Sequence, residues 1–225
     1  MKRHLRTLAF AAIVAGAFAC TKGPDEVPVG GELEMSVEAT FQAATKATMD
    51  SETGAVEWEL GDQISLLNGS NNFALTSKAA GPVAEFKGTA VQIASSDKYL
   101  AVYPYDENYK LEGRSFNVNL PKVVKLIPES FSQTIGTGYV TEGKVNFQHA
   151  TAYLGFEITR DDITSIVISA EGKALSGAFK ATVNNNGTVS LSAVSGETSD
   201  EILVNTEALA GKYYVPIPAD RKSVV

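Results

Sequence analysis

The stretch LEMSVEATF at residues 33–41 gives the clearest structural signal in this chain of 225 residues. Apolar and polar residues alternate along it, and an extended backbone places alternate side chains on opposite faces. The stretch is therefore predicted to be a β-strand with one apolar face, formed by Leu33, Met35, Val37, Ala39 and Phe41.

Short segments of similar character recur along the rest of the chain. They are separated by turn-forming Gly, Asn, Asp and Pro residues, and no apolar stripe of helical period is sustained. The predicted strands are Trp58–Leu60, Ile64–Leu67, Phe73–Leu75, Tyr99–Tyr103, Phe116–Leu120, Ala152–Ile158, Ile163–Ile168, Ala178–Val183 and Tyr213–Ile217. This spacing predicts an all-β sandwich fold, and the length favours two sandwiches in tandem.

The main irregular stretch is predicted at 122–143, which contains Pro128, Gly136, Gly138 and Gly143. A boundary near its end gives an N-terminal domain at 33–143 and a C-terminal domain at 144–225. The chain stops soon after the apolar Tyr213–Ile217 segment, so the second domain is predicted to be incomplete at its C-terminus.

Residues 1–19 resemble a secretory signal peptide, with three basic residues followed by a short apolar run. The run ends in Ala17-Phe18-Ala19-Cys20, which resembles the lipobox of bacterial lipoproteins. In that reading Cys20 is acylated, residues 20–32 form a tether, and the protein is anchored at the outer membrane facing outward. Ordinary cleavage before Cys20 and an uncleaved anchor are the alternatives.

Composition and motifs argue against nucleic-acid binding and against catalysis. The 26 acidic residues outnumber the 19 basic ones, whereas phosphate binding needs clustered basic residues. There is no Gly-x-Ser-x-Gly motif, and His149 would be the one histidine of the processed chain. We therefore expect no enzyme activity, no metal and no cofactor, with His149 and the Asp161-Asp162 pair in structural or solvated positions.

Several segments in conserved order resemble the fimbrillin-like lipoproteins of the Bacteroidales. They are Phe41 with Thr45-Lys46, Trp58–Ile64, Tyr99–Tyr105, Leu120-Pro121, Val145–Ala150 and Tyr213–Pro218. The resemblance covers essentially all of the chain after the signal peptide. It implies two transthyretin-like β-sandwich domains and a structural or accessory role in adhesive surface fimbriae. The implied partners are other fimbrial subunits, the outer membrane through the lipid, and a receptor on a host or bacterial surface.

The resemblance also implies assembly by strand exchange after proteolysis. A sandwich that loses its first strand exposes unpaired backbone groups beside an apolar groove, and a strand from another subunit can fill it. In the resemblance a trypsin-like protease cuts after a basic residue that follows this strand. Lys46 is the only basic residue between Lys22 and Lys78 and is the predicted cleavage site. The alternative is an ordinary solvated lysine and a permanent first strand. A closed barrel without free sheet edges would contradict strand exchange.

A surface lipoprotein that binds glycans is the alternative function. Its aromatic platform would comprise Trp58, Tyr103, Tyr105, Tyr109, Tyr213 and Tyr214. The competing interpretation of these alternating aromatic residues is core and cross-strand packing.

Overall fold

The computed structural model describes residues 29–41, 57–128 and 135–219. Within these ranges the chain is all-β and contains no helix, consistent with the predicted β-sandwich class. The strands are β1 (Glu32–Phe41), β2 (Gln63–Asn68), β3 (Asn71–Ser77), β4 (Val83–Val91), β5 (Leu100–Tyr103), β6 (Ser115–Leu120), β7 (Val123–Leu126), β8 (Gly136–Tyr139), β9 (Lys144–His149), β10 (Thr151–Ile158), β11 (Ser165–Ser169), β12 (Ser176–Val183), β13 (Val189–Ser199), β14 (Glu201–Thr206) and β15 (Gly211–Pro218). The predicted signal peptide, Cys20 and Lys46 lie outside the described residues.

Seven strands form a closed barrel in the order β1-β4-β3-β2-β5-β8-β9. The ring is completed by β1, which runs antiparallel to β4 and parallel to β9. Alternate residues of the strands point inward, as their period of two requires. The interior is filled by large buried side chains that include Trp58, Phe86 and Phe147.

The remaining strands form three small sheets, β13-β12-β6, β11-β14-β7 and β10-β15. The sheet β13-β12-β6 covers the outer face of the barrel at β2 and β5, where Leu67, Leu100 and Val102 pack against Phe116 and Phe179. Both faces of β2 and β5 are therefore buried. This explains why Ile64–Leu67 and Leu100–Val102 are nearly continuous apolar runs instead of alternating ones.

The other two sheets enclose a core of their own, which contains Val124, Ile202, Val204, Tyr213 and Val215. Among the described strands, β10 and β15 pair only with each other, and β7, β11, β6 and β13 are each paired on one side. The molecule thus combines a closed barrel with sheets that have free edges.

Most predicted strands are confirmed, but two sequence interpretations were wrong. The segment Trp58–Leu60 is not a strand, since Trp58 makes one isolated bridge to Gly81 and a turn follows. The stretch at 122–143 is less irregular than predicted, because its described residues include β7 and β8. Glycine was interpreted there as a loop former, whereas Gly136 and Gly138 lie in β8 where neighbouring side chains approach closely.

Strand pairing crosses the predicted boundary between residues 143 and 144. That boundary falls between β8 and β9, which are neighbours in the barrel. From the N-terminal range, β6 pairs with β12 and β7 pairs with β14. The N-terminal range therefore supplies strands to both halves of the molecule.

Candidate functional site

The alternation predicted for the first strand is present in β1. Val37 and Ala39 are fully buried, Leu33, Met35 and Phe41 are partly buried, and the glutamates between them are exposed. Its apolar face points into the barrel and its polar face points outward. The structure thus brings all five predicted apolar side chains to one side of the strand.

Both edges of β1 are hydrogen-bonded. It pairs with β4 over Glu32–Thr40 and with β9 over Glu38–Phe41. In addition, the indole Nε1 of Trp58 donates a hydrogen bond of 3.0 Å to the backbone oxygen of Ala39. Removing β1 from the barrel would leave the facing edges of β4 and β9 without partners, which is a geometry that accepts another strand.

The ring of Phe41 lies in an aromatic cage at the end of β1. Its centroid is 4.9 Å from that of Trp58, 5.2 Å from that of Phe147 and 5.9 Å from that of Tyr103. The imidazole of His149 stacks on the same ring at 5.0 Å. Four side chains from the loop before β2, from β5 and from β9 therefore fix one residue of β1.

Gly136 in β8 belongs to this cage, although it was predicted to lie in an irregular stretch. A Cβ atom at this position would lie 2.5 Å from Cε1 and 2.6 Å from Cζ of Phe41. No larger residue fits without displacing the ring. The available signal in the sequence was an isolated glycine beside a strand, which often marks a close approach.

His149 packs against the aromatic cage at the end of β1. It ends β9, is partly buried against Phe41 and also meets the ring of Tyr153 at 6.1 Å. Burial lowers the pKa of its imidazole. Burial, together with the charge of Asp62, raises the pKa of Tyr103 to about 12. The side chains of His149 and Tyr103 are therefore both neutral near pH 7.

The outer face of β1 carries a ladder of polar contacts. The ammonium of Lys144 lies 2.9 Å from Oε1 of Glu38, and the hydroxyl of Ser36 donates a 2.6 Å hydrogen bond to Glu85. That hydrogen bond, and then Lys87, lower the pKa of the exposed Glu85 carboxyl. Such exposed pairs contribute little to stability, so retention of β1 depends mainly on its inner face and its backbone pairing.

The aromatic residues considered for a glycan platform do not share one surface. Trp58 and Tyr213 are core residues and Tyr109 is buried, while Tyr103 belongs to the cage around Phe41. The carboxylate of Asp162 pairs with the guanidinium of Arg160 in an exposed turn. Core packing therefore describes Trp58, Tyr109 and Tyr213.

Across the part of the chain that the structure covers, no group of three or more His, Cys, Asp or Glu side chains is arranged to hold a metal ion. Nor does a helix long and apolar enough to span a membrane occur in those same ranges.

The fold and the first strand define an all-β protein in which one terminal strand closes a barrel between two others. Searches of protein-family models, curated proteins and solved structures found nothing that matches this chain.

Proposed function

We propose that this protein is a structural subunit or accessory component of adhesive surface fimbriae, built as two transthyretin-like β-sandwich domains. Cys20 carries the lipid that anchors it at the outer membrane, facing outward. Cleavage after Lys46 frees β1, and subunits then assemble by exchanging strands. Its partners are other fimbrial subunits and a receptor on a host or bacterial surface.

The observation that carries this proposal is the position of β1 in the barrel. It is the first described strand, it closes the ring between β4 and β9, and the chain from residue 42 to residue 56 links it to the rest. That link contains Lys46. A cut there leaves β1 attached to its neighbours through noncovalent contacts alone.

The composition of β1 suits a strand that is held firmly but can be exchanged. Burial of a large apolar side chain contributes about 1.5–3 kcal/mol, and β1 places Val37 fully and Phe41 partly in the barrel. Loss of these contacts is costly to a subunit alone. A donor strand with the same alternation restores these contacts. The assembled subunit is therefore more stable than a subunit with an open barrel.

The test uses the processed chain beginning at residue 20, treated with a trypsin-like protease. We expect a new N-terminus at residue 47, followed by high-mass assemblies in size-exclusion chromatography and fibres in electron micrographs. Lys46→Ala should remain uncut there and monomeric, whereas the matched variant Lys22→Ala should still be cut and assemble. Equal assembly of Lys46→Ala would contradict the proposal.

A peptide competition separates strand exchange from unspecific aggregation. A peptide of residues 32–41 added in excess to the cut chain should fill the open barrel and suppress assembly. The same peptide with Val37→Asp places a charge inside the barrel and should have no effect. Equal suppression by both peptides, or assembly that ignores both, would argue against exchange at this position.

A further inference from the structure

A polar groove lies on the outside of the barrel, away from the apolar face of β1. It has a volume of about 460 Å³. Its lining is Glu38, Thr40, Lys98, Tyr139, Thr141, Lys144, Val145, Asn146, Gln148, Asn185 and Asn186. One wall is thus the outer face of β1, β8 and β9, and the other is the turn between β12 and β13.

The turn that forms the second wall is fixed in place. Within it, the backbone nitrogen and the hydroxyl of Thr188 both donate to Oδ1 of Asn186, at 3.2 and 2.7 Å. Gly187 sits directly on β8, because a Cβ atom there would lie 2.7 Å from the backbone nitrogen of Tyr139. The amides of Asn185 and Asn186 are therefore presented from a rigid support.

The amides of this wall offer more donors than acceptors to the groove. Oδ1 of Asn185 already accepts a 2.8 Å hydrogen bond from the guanidinium of Arg114, and Oδ1 of Asn186 accepts two hydrogen bonds from Thr188. What remains is the N–H₂ group of each side chain and one lone pair on Oδ1 of Asn185. Both residues are exposed and line the groove.

The net charge of the groove favours the same kind of ligand as its hydrogen-bond donors do. Lys144 is neutralised by Glu38 at 2.9 Å, whereas Lys98 lies over the ring of Tyr139 with its Nζ 5.9 Å from the centroid. The lining residues carry one net positive charge on a chain whose net charge is −7. A ligand that suits this wall brings many acceptor oxygens and a negative charge.

We propose that this groove binds an acidic saccharide, whose hydroxyl oxygens accept from Asn185 and Asn186 and whose carboxylate is attracted to Lys98. An extended peptide is a poorer fit, because β1, β8 and β9 are each paired on both sides in the barrel and have no edge for strand addition. This proposal goes beyond the fimbrial role and does not depend on cleavage or assembly.

Isothermal titration of the uncut chain with tetragalacturonate tests the proposal. Asn185→Asp keeps the oxygen that accepts from Arg114, so the turn stays in place, but it replaces the N–H₂ donor by a negative charge. We expect a loss of affinity of about tenfold or more, because the variant loses a hydrogen bond to a saccharide hydroxyl and places a negative charge near an acidic ligand. Asn119→Asp makes the same change at an exposed site on β6 and should bind like the unaltered chain.

The other outcomes overturn the proposal. They are no binding of tetragalacturonate at millimolar concentration, equal binding of maltotetraose or of a polyglutamate peptide, and equal losses for Asn185→Asp and Asn119→Asp. Thermal denaturation of each variant shows whether the fold is intact. Fibre formation is measured separately, so failure of this groove leaves the strand-exchange test unaffected.

Discussion

The close contact between Gly136 and Phe41 makes the attachment of β1 sensitive to a single methyl group. In Gly136→Ala the new Cβ would meet Cε1 of Phe41 at 2.5 Å, about 1 Å closer than the optimum for two carbon atoms. Movement of the ring is restricted, because Trp58 and Phe147 lie around it at 4.9 and 5.2 Å. We expect the end of β1 to be displaced outward.

Overpacking of this kind costs about 1–3 kcal/mol. Urea denaturation of Gly136→Ala should therefore show a lower midpoint with an unchanged slope, and hydrogen exchange should accelerate in β1 more than in β12. Gly155→Ala is the matched control, since its Cβ would meet the ring of Tyr214 at an ordinary 3.4 Å. That substitution in β10 should be nearly neutral.

A double-mutant cycle tests whether Phe41 is the cause. Phe41→Ala removes the ring, so Gly136→Ala in that background should cost little, which gives a coupling energy of about 1–3 kcal/mol. Equal costs of Gly136→Ala with and without the ring would refute the reasoning, as would a Gly136→Ala chain as stable as the unaltered one.

Three further predictions concern other parts of the chain. Burial lowers the pKa of His149 below the ordinary value of 6.5 for a histidine, so the unfolded chain binds the proton more readily. Stability should therefore fall as the pH drops through 6.5, and His149→Gln should reduce that slope in urea denaturation. An unchanged slope would contradict this. Gly177→Ala should lower the free energy of unfolding by more than about 2 kcal/mol, because Gly177 has a φ of +99° and the new Cβ would lie 2.2 Å from the backbone oxygen of Glu197. Gly196→Ala is the control. Gly196 has a φ of +80° but open space around it, so this substitution should cost less in the same assay. Cys20→Ser should abolish lipidation, seen as a lower intact mass and loss from the membrane fraction, and unchanged membrane association would oppose it.

The period of two was enough to predict most strands and the face of β1 that is buried. Alternation is a local property, so the pattern in Leu33–Phe41 by itself predicts which face each side chain occupies. The turn at residues 184–187 is equally local, because Gly187 supplies the positive φ that a tight connection needs. Such features can be predicted without knowing what the segment packs against.

The barrel could not be predicted in the same way. Its closure depends on a parallel pairing between β1 and β9, whose paired residues are more than a hundred positions apart in the chain. The predicted domain boundary followed composition, whereas β6 and β7 are separated from their partners β12 and β14 by the barrel strands β8 and β9. Partners of this kind are chosen by burial of whole sheets, which no local pattern reports.

The polar groove was missed for a similar reason. The predicted saccharide platform consisted of aromatic residues, and several of these fill the cores. Asn146 and Asn185 carry no signal of their own in the sequence. They become neighbours because the turn between β12 and β13 rests on β8.

Strand exchange and saccharide binding both involve β1, because Glu38 and Thr40 of this strand line the groove. Glu38 neutralises Lys144 at 2.9 Å, so loss of β1 would release a second positive charge toward an acidic saccharide. Glu38→Gln reproduces that release in the uncut chain and should bind tetragalacturonate more tightly, with a steeper dependence on salt, whereas Glu34→Gln on the same outer face should not. Unchanged affinity in Glu38→Gln would show that saccharide binding is not coupled to the retention of β1. If the affinity for the saccharide rises when β1 leaves the barrel, linkage requires that the bound saccharide weaken the binding of β1 to the barrel by the same factor. Saccharide binding would then favour assembly.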